Sequence, residues 1–217
     1  MYVPAHFRIP DDAAWELLAT PRPGNLVTMP ADAGDAPPSA TFVPFHLEGR
    51  TLVTHLVRNN PQAVEPMVGR GLAIIDVMDG YVSPLWYATN DVMPNVPTWD
   101  YVTLHITGPV RVDPSPEAAL AAARELTDRL ESEDVLTPVG DEKLERMARA
   151  IVRVDLQIEQ IEGKAKMSQN RHPDDVRGLA DRFAEEGATD MAEYLRRVSL
   201  PHAEERFGTI QALKSKR

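Results

Sequence analysis

The chain has 217 residues, no cysteine and a formal net charge of −10, because 33 acidic residues outnumber 23 basic ones. The lack of cysteine excludes disulfides, thiolate nucleophiles and cysteine-based metal sites. The length suits one domain, or one domain with a small appendage. No stretch is long and apolar enough to span a bilayer and the start shows no signal-peptide pattern, so we expect a cytoplasmic protein without a membrane partner.

The first 113 residues predict the strands of a small β-barrel. Short runs rich in β-branched and aromatic residues are separated by Gly, Pro and Asp, which is typical of barrel strands. The predicted strands are 24–29, 41–47, 51–56, 72–77 and 101–107, and 110–112 is expected to follow a break at Gly108-Pro109. Helices are predicted over 11–18 and directly after Asn60-Pro61, and 30–39 is expected to be an exposed hairpin loop.

Beyond residue 113 the pattern becomes mainly helical. Ser115 is a suitable N-cap and Pro116 suits the first helical position, with Ala119, Ala122 and Leu126 at helical spacing. Alternation of apolar and polar residues predicts one strand over 151–161. The other predicted helices are 141–150, 173–185, 189–198 and a charged tail from His202.

Five segments rich in aromatic and polar residues carry the most specific information. They are Met1-Tyr-Val-Pro-Ala-His-Phe7, Thr54-His-Leu-Val-Arg-Asn-Asn-Pro-Gln62, Tyr81-Val-Ser-Pro-Leu-Trp-Tyr87, Val96-Pro-Thr-Trp-Asp-Tyr101 and Gly163-Lys-Ala-Lys-Met-Ser-Gln-Asn-Arg171. In this order they resemble the PaiB-like family of FMN-binding split β-barrel proteins, a family often labelled as negative transcriptional regulators.

The resemblance implies an FMN-binding split β-barrel with flanking helices, an α+β protein that forms a homodimer and holds FMN at the subunit interface. It implies a split-barrel domain over residues 1–171, with inserted helices at 115–150, and a C-terminal helical extension over 172–217. The packing of the tail after His202 is left open.

The resemblance also implies which residues bind the cofactor. The phosphate of FMN requires several hydrogen-bond donors or cations, and its flat ring requires apolar cover. Candidates for the phosphate and ribityl chain are Thr54, Arg58, Asn59 and Gln62. The alternative is that Asn60-Pro61 is only a turn and Arg58 a solvated cation.

Two further groups of candidates follow from the same resemblance. The polar segment 163–171 is expected to form a loop over the anion, with Lys164, Lys166, Ser168, Gln169 and Asn170 near the flavin; the alternative is an ordinary polar loop that leads into a helix. In the aromatic segments the candidates are Ser83, Trp86, Thr98 and Trp99. Aromatic side chains also fill barrel cores and dimer interfaces, which is the alternative for the two tryptophans.

The chain departs from the family pattern at three places that change polarity. Phe42 stands where a histidine is expected, Asp100 where an asparagine is expected, and Asp79 lies in a segment that commonly carries a Pro-His pair. Asp100 and His55 are the candidates for a catalytic proton transfer. Any histidine is otherwise expected to be structural, and no motif predicts a metal site or a serine hydrolase.

Three functions remain open from the sequence. The first is an FMN-dependent oxidoreductase that acts on a small molecule at the dimer interface. The second is a transcriptional regulator that uses FMN as a structural or sensory ligand, with 173–198 as a helix-turn-helix and a basic patch from Arg196, Arg197, Lys214, Lys216 and Arg217. The net charge of −10 disfavours DNA as a partner. The third and weakest is a haem-binding split-barrel protein.

Overall fold

The computed structural model describes residues 1–30, 34–35, 37–64 and 67–216. Its strands are β1 (Arg8–Ile9), β2 (Arg22–Pro30), β3 (Ser39–Glu48), β4 (Thr51–Val57), β5 (Met67–Val82), β6 (Thr98–Asp113), β7 (Ile151–Gln157) and β8 (Gln160–Lys166). Its helices are α1 (Asp11–Leu18), α2 (Pro61–Val64), α3 (Pro116–Leu130), α4 (Asp141–Ala148), α5 (Pro173–Glu185), α6 (Thr189–Tyr194) and α7 (Leu200–Lys214). Residues 31–33 and 36 of the predicted hairpin loop, and Arg217 of the predicted basic patch, lie outside the described residues.

The strands form one eight-stranded sheet in the order β1-β8-β6-β5-β2-β3-β4-β7. An additional pairing of β6 with β7 closes six of the strands into a ring. The neighbouring pairs with a recorded register run antiparallel, for example Leu26 opposite Thr41 and Leu52 opposite Leu156. Closure removes the exposed edges that an open sheet of these strands would have.

The predicted break at Gly108-Pro109 is wrong, because β6 continues through both residues. Glycine is needed at position 108 by the close approach of another backbone. A Cβ at this position would lie 1.7 Å from the carbonyl oxygen of Gln157, and Glu159 N–H donates to Thr107 O at 3.0 Å. This glycine therefore permits close packing inside the strand instead of ending it.

The single strand predicted over 151–161 is two strands. Between them, Ile158 N–H donates to Arg50 O and Glu159 N–H donates to Thr107 O, so both amides leave the ladder of β7. The second strand, β8, extends to Lys166. The first four residues of the segment 163–171 consequently lie in a strand, and only the remaining residues form the expected polar loop.

The strand predicted over 72–77 is five residues longer at each end in β5, Met67–Val82, and the other predicted elements agree with the structure to within a few residues at their ends. Ser115 caps α3 by accepting a hydrogen bond from the amide of Ala118. Helices α1 and α5 have the predicted bounds. After α6 the chain forms a π-helical turn over Leu195–Ser199 and continues directly into α7, so the tail helix begins two residues before His202.

Contacts divide the chain into two compact units, each made of separate stretches of sequence. Unit 1 comprises Met1–Ile9, Asp76–Thr103 and Gly163–Arg217; unit 2 comprises Pro10–Ile75 and Leu104–Glu162. Unit 2 contains α3, which packs on β4 and β7 through buried Ala119, Ala122 and Leu126. In unit 1, α5 and α6 pack together around Leu179, Phe183 and Met191, all of them buried. The predicted boundary at residues 171/172 remains a prediction.

Candidate functional site

Lys166 lies at the centre of a polar cluster in unit 1. Its ammonium donates to Thr98 Oγ1 at 2.6 Å and to the carbonyl oxygen of Trp99 at 2.5 Å, and it lies 3.6 Å from Asp100 Oδ1. The side chain stays 28% exposed. Strand β8 therefore presents a cation to residues more than 60 positions earlier in the chain, with a part of it open to solvent.

Asp100 is the buried member of this cluster, with none of its surface exposed. Its Oδ2 accepts a hydrogen bond from Ser168 Oγ at 2.7 Å. Its Oδ1 has no hydrogen-bond partner among the described residues and lies 3.6 Å from the Lys166 ammonium. Burial raises the pKa of the Asp100 carboxyl above its ordinary value, and the Ser168 hydrogen bond and the charges of Lys166 and Arg171 offset only part of that effect.

The turn after β8 is held by side-chain hydrogen bonds to the backbone. Ser168 adopts a φ of 55°, a left-handed conformation that is uncommon for a residue other than glycine. Gln169 is buried; its amide donates to the carbonyl oxygens of Ala165 and His6, and its Oε1 accepts from Met167 N–H at 2.8 Å. The hydrogen bonds of Gln169 thus hold the turn that brings the Ser168 hydroxyl to Asp100.

The candidates Trp86 and Trp99 of unit 1 are connected through the ring of Tyr81, which was not itself a candidate. The Tyr81 ring meets Trp86 and Trp99 edge-on, with centroids 6.4 and 5.9 Å away. Trp86 also packs against Phe183 and lies under Arg182, so its faces are partly covered. Trp99 is 51% exposed and Tyr81 45% exposed, so these two adjoining rings form a partly open aromatic surface.

The remaining candidates of unit 1 have mainly local roles. Ser83 caps the short 3-10 helix Pro84–Trp86 through its Oγ. Lys164 lies over the ring of Tyr101 at 5.4 Å. Asn170 is exposed, and its carbonyl oxygen accepts a hydrogen bond from Arg206. The structure does not bring these three side chains into the Lys166 cluster.

In unit 2, the Arg58 side chain donates hydrogen bonds to three backbone carbonyl oxygens. Its Nε donates to Arg149 O at 2.8 Å, and its Nη2 donates to Pro114 O and Ile151 O at 2.9 and 3.0 Å. These bonds use the edge of the guanidinium that would otherwise form a two-pronged contact with a phosphate. The geometry therefore supplies a structural function for Arg58 that the sequence did not predict.

The other phosphate candidates are also engaged within unit 2. Thr54 is buried and donates to Pro44 O at 2.6 Å. Gln62 is buried, and its amide donates to Leu26 O and to Thr28 Oγ1. Asn59 is exposed. The assignment of all three to the phosphate and ribityl chain remains a prediction.

His55 lies half-buried on β4. Burial lowers the pKa of His55, and the nearby charge of His46 lowers it further. His46 is itself buried and shares a hydrogen bond of 2.9 Å with Glu48 Oε1, which is the structural role that the sequence predicted for histidines. His55 therefore favours the neutral form at physiological pH.

The residues that depart from the family pattern lie in different surroundings. Asp79 Oδ2 accepts a hydrogen bond from the Trp99 indole at 2.6 Å and so orients that ring. Phe42 is largely exposed on β3. The sequence did not identify Arg171 as a candidate. Arg171 lies over the Tyr87 ring at 4.7 Å, and its charge acts to lower the pKa of Asp100 against the larger effect of burial. Arg171 closes the segment 163–171, and only its position there could have indicated it.

Two surface cavities in the described part of the chain lie away from the Lys166 cluster. A cavity of about 410 Å³ lies between α3 and α4 in unit 2 and is lined by residues such as Leu120, Arg124 and Arg149. A shallow one of about 340 Å³ in unit 1 includes Trp86 and Arg182. Within the described part of the chain, no group of three or more acidic or histidine side chains could hold a metal ion. None of the described helices is both long enough and apolar enough to cross a membrane.

Residues 1–160 match the family model described as "Putative FMN-binding domain". The chain belongs to this family. FMN is accordingly its cofactor, and the predicted resemblance is confirmed. Over 215 aligned residues the chain is 27% identical to the protease synthase and sporulation protein PAI 2 of Bacillus subtilis strain 168, with 90% of this chain and 96% of the relative covered. It is 28% identical over 134 residues to the uncharacterized protein YKL070W of Saccharomyces cerevisiae, with 52% and 79% covered.

Solved structures share the fold at low sequence identity. The flavocytochrome Anf3 of Azotobacter vinelandii has a TM-score of 0.55 and 16% identity, over 76% of this chain and 72% of that one. The FAD and heme binding protein of Mycobacterium smegmatis has a TM-score of 0.54 and 17% identity, over 72% and 71%. Rv2991 of Mycobacterium tuberculosis has a TM-score of 0.54 and 13% identity, over 76% and 91%. The predicted split β-barrel with flanking helices is confirmed.

The residues of unit 1 fit the chemical needs of FMN. The half-exposed rings of Trp99 and Tyr81 are suited to contact a flat ring, and the partly exposed Lys166 beside them is suited to an anion. Asp100 is the feature that fits least, because an ionised carboxylate disfavours a nearby anion.

Proposed function

We propose that the protein is an FMN-dependent oxidoreductase that acts on a small molecule, with the flavin held at the surface formed by Tyr81, Trp99 and Lys166. The observation that carries the proposal is that two half-exposed aromatic rings adjoin a partly exposed ammonium. The ring of FMN needs apolar cover and its phosphate needs positive charge, and this surface offers both.

In this proposal FMN supplies the two-electron oxidation and reduction, and the chain supplies positioning and proton transfer. Asp79 holds the Trp99 indole, and Thr98 holds the Lys166 ammonium. Asp100 is the residue that gains and loses a proton, since its Oδ1 lacks a hydrogen bond within the described chain and burial raises its pKa toward the range useful for acid–base catalysis. His55 belongs to unit 2 and remains a second candidate.

We further propose that the protein forms a homodimer. The segment that follows β5 exposes large apolar side chains: Leu85, Val92, Met93 and Val96. Isolated exposed apolar residues are common, but several on one short segment are typical of a contact surface. A second subunit would cover this segment and shield a bound flavin from water.

A regulatory role through DNA is the second candidate, and the helices of unit 1 give it little support. The helix that would enter the groove begins with Thr189 and carries exposed Asp190 and Glu193. Arg196 pairs with Asp181 and Arg197 with Glu193, so these two arginines of the predicted basic patch have carboxylate partners. Neutralised arginines contribute little to phosphate binding.

The first experiment measures FMN affinity by fluorescence quenching in Lys166→Ala and Trp99→Ala. Each substitution should weaken binding by about tenfold or more, because one removes a charge-assisted contact and the other an aromatic face. Lys143→Ala is the control, since Lys143 is an exposed lysine on α4 in unit 2. Unchanged affinity in both test variants would show that the flavin lies elsewhere.

A further inference from the structure

The buried carboxylate of Asp100 carries a negative charge beside the place proposed for the anionic flavin. The side chain is fully buried, and within the described chain Oδ1 lacks a hydrogen bond. Lys166 donates to two neutral oxygens at 2.5 and 2.6 Å, but it stays 3.6 Å from this carboxylate. The ion pair is therefore longer than either neutral contact, and the negative charge is incompletely compensated.

The groups that face Asp100 come from two directions. Lys166 on β8, with Ser168 and Arg171 in the turn after it, supplies one hydrogen bond and two positive charges. Tyr87, which follows the 3-10 helix, supplies a buried hydroxyl without a hydrogen bond of good geometry in the described residues, although Ser168 lies close enough to influence its pKa. Even with both cations in place, burial raises the pKa of Asp100.

We infer that Asp100 takes up a proton from solvent when an anionic ligand binds beside Lys166, so that binding of FMN to this chain is coupled to protonation of a buried carboxylate. The inference rests on the proposed placement of FMN at Lys166. A ligand anion there adds a like charge close to Asp100 and competes for the ammonium that now stabilises the carboxylate, and both effects favour the neutral acid. The step is balanced: one proton leaves the solvent and forms the O–H bond of the Asp100 carboxylic acid.

The coupling of FMN binding to protonation of Asp100 determines how the affinity for FMN changes with pH. Below the pKa of Asp100 in the ligand-free protein, the group is already protonated and does not oppose binding. Between the ligand-free and ligand-bound pKa values, each binding event requires proton uptake, so the affinity falls as the pH rises. Above the bound value the carboxylate stays ionised and the affinity reaches its minimum.

The test is calorimetric titration of FMN into the full-length protein at one pH, in buffers with different ionisation enthalpies. The number of protons exchanged by the wild type is compared with the number exchanged by Asp100→Asn, in which Ser168 keeps an acceptor. This difference cancels protons that belong to the FMN phosphate, which both proteins bind. Asp190→Asn is the matched control, because Asp190 is an exposed aspartate on α6 of the same unit.

We expect the wild type and Asp190→Asn to take up more protons than Asp100→Asn, and Asp100→Asn to bind FMN about tenfold more tightly at the upper end of the pH range. Equal proton counts in wild type and Asp100→Asn, with FMN bound by both, would overturn the inference and leave the flavin site intact. Failure of the wild type to bind FMN would overturn the proposed site together with it.

Discussion

Arg58 can be interpreted as a phosphate ligand or as a structural residue. The two interpretations require its guanidinium to donate to different partners. As a phosphate ligand it needs two parallel donors directed at the cofactor. In the structure Nε and Nη2 are directed instead at the carbonyl oxygens of Arg149, Pro114 and Ile151, which joins the end of β4 to the chain before and after the α3–α4 helices. We expect its principal effect to be on stability.

Arg58→Ala should lower the free energy of unfolding by about 1–3 kcal/mol, because it leaves backbone carbonyls without their donor. Chemical denaturation measures the change, and Arg111→Ala on the exposed side of β6 is the control. Undiminished stability of Arg58→Ala, accompanied by a loss of FMN affinity, would restore the interpretation as a phosphate ligand.

Asp100 and Lys166 show which part of the site was accessible from sequence. The polar composition of 163–171 and the aromatic composition of 96–101 identified both segments through their resemblance to a family. The hydrogen-bond partners of Lys166 could not be predicted in the same way. The contact of Lys166 with Thr98 joins residues 68 positions apart in the chain, so it depends on how their strands are brought together. That β8 and β6 are neighbours in the sheet is a property of the tertiary fold, which the local alternation of residues does not reveal.

Among the secondary-structure elements, β6 and β8 differ most from expectation, and for a common reason. Gly-Pro is normally a sign of a turn, and a run of lysine, serine and amide residues is normally a sign of a loop. In β6 the glycine is required by the backbone of Gln157, and in β8 Gly163 and Lys164 pair with β1. Helices with a clear cap and apolar spacing, such as α3, were predicted because their signals are local.

Gly108→Ala should destabilise the barrel by several kcal/mol or prevent folding, because the new Cβ would overlap the Gln157 carbonyl oxygen. Gly69→Ala on β5 is the matched control, since a Cβ there has no neighbour within 4 Å among the described residues. The measurement is the thermal unfolding midpoint together with the soluble yield. Equal midpoints for the two variants would contradict the assignment of β6 as one continuous strand.

For the molecule as a whole, the resemblance of five ordered segments to a known family was enough to predict the fold class and the cofactor. The ring closed by β6 and β7 and the match of residues 1–160 to the FMN-binding family agree with that prediction. The division into units was not predicted, because each unit gathers stretches from both halves of the chain. A contiguous boundary is the default expectation from sequence, and long strands such as β5 and β6 contribute residues to both units.

We propose that the whole molecule is a dimeric flavoprotein with redox function. The first test is the visible absorption spectrum of the protein incubated with FMN, recorded during size-exclusion chromatography with light-scattering detection of mass. We expect flavin bands that elute with a particle of about twice 24.1 kDa and that bleach reversibly when a reductant is added. A colourless protein, or flavin bands on a monomer that cannot be reduced, would contradict the proposal.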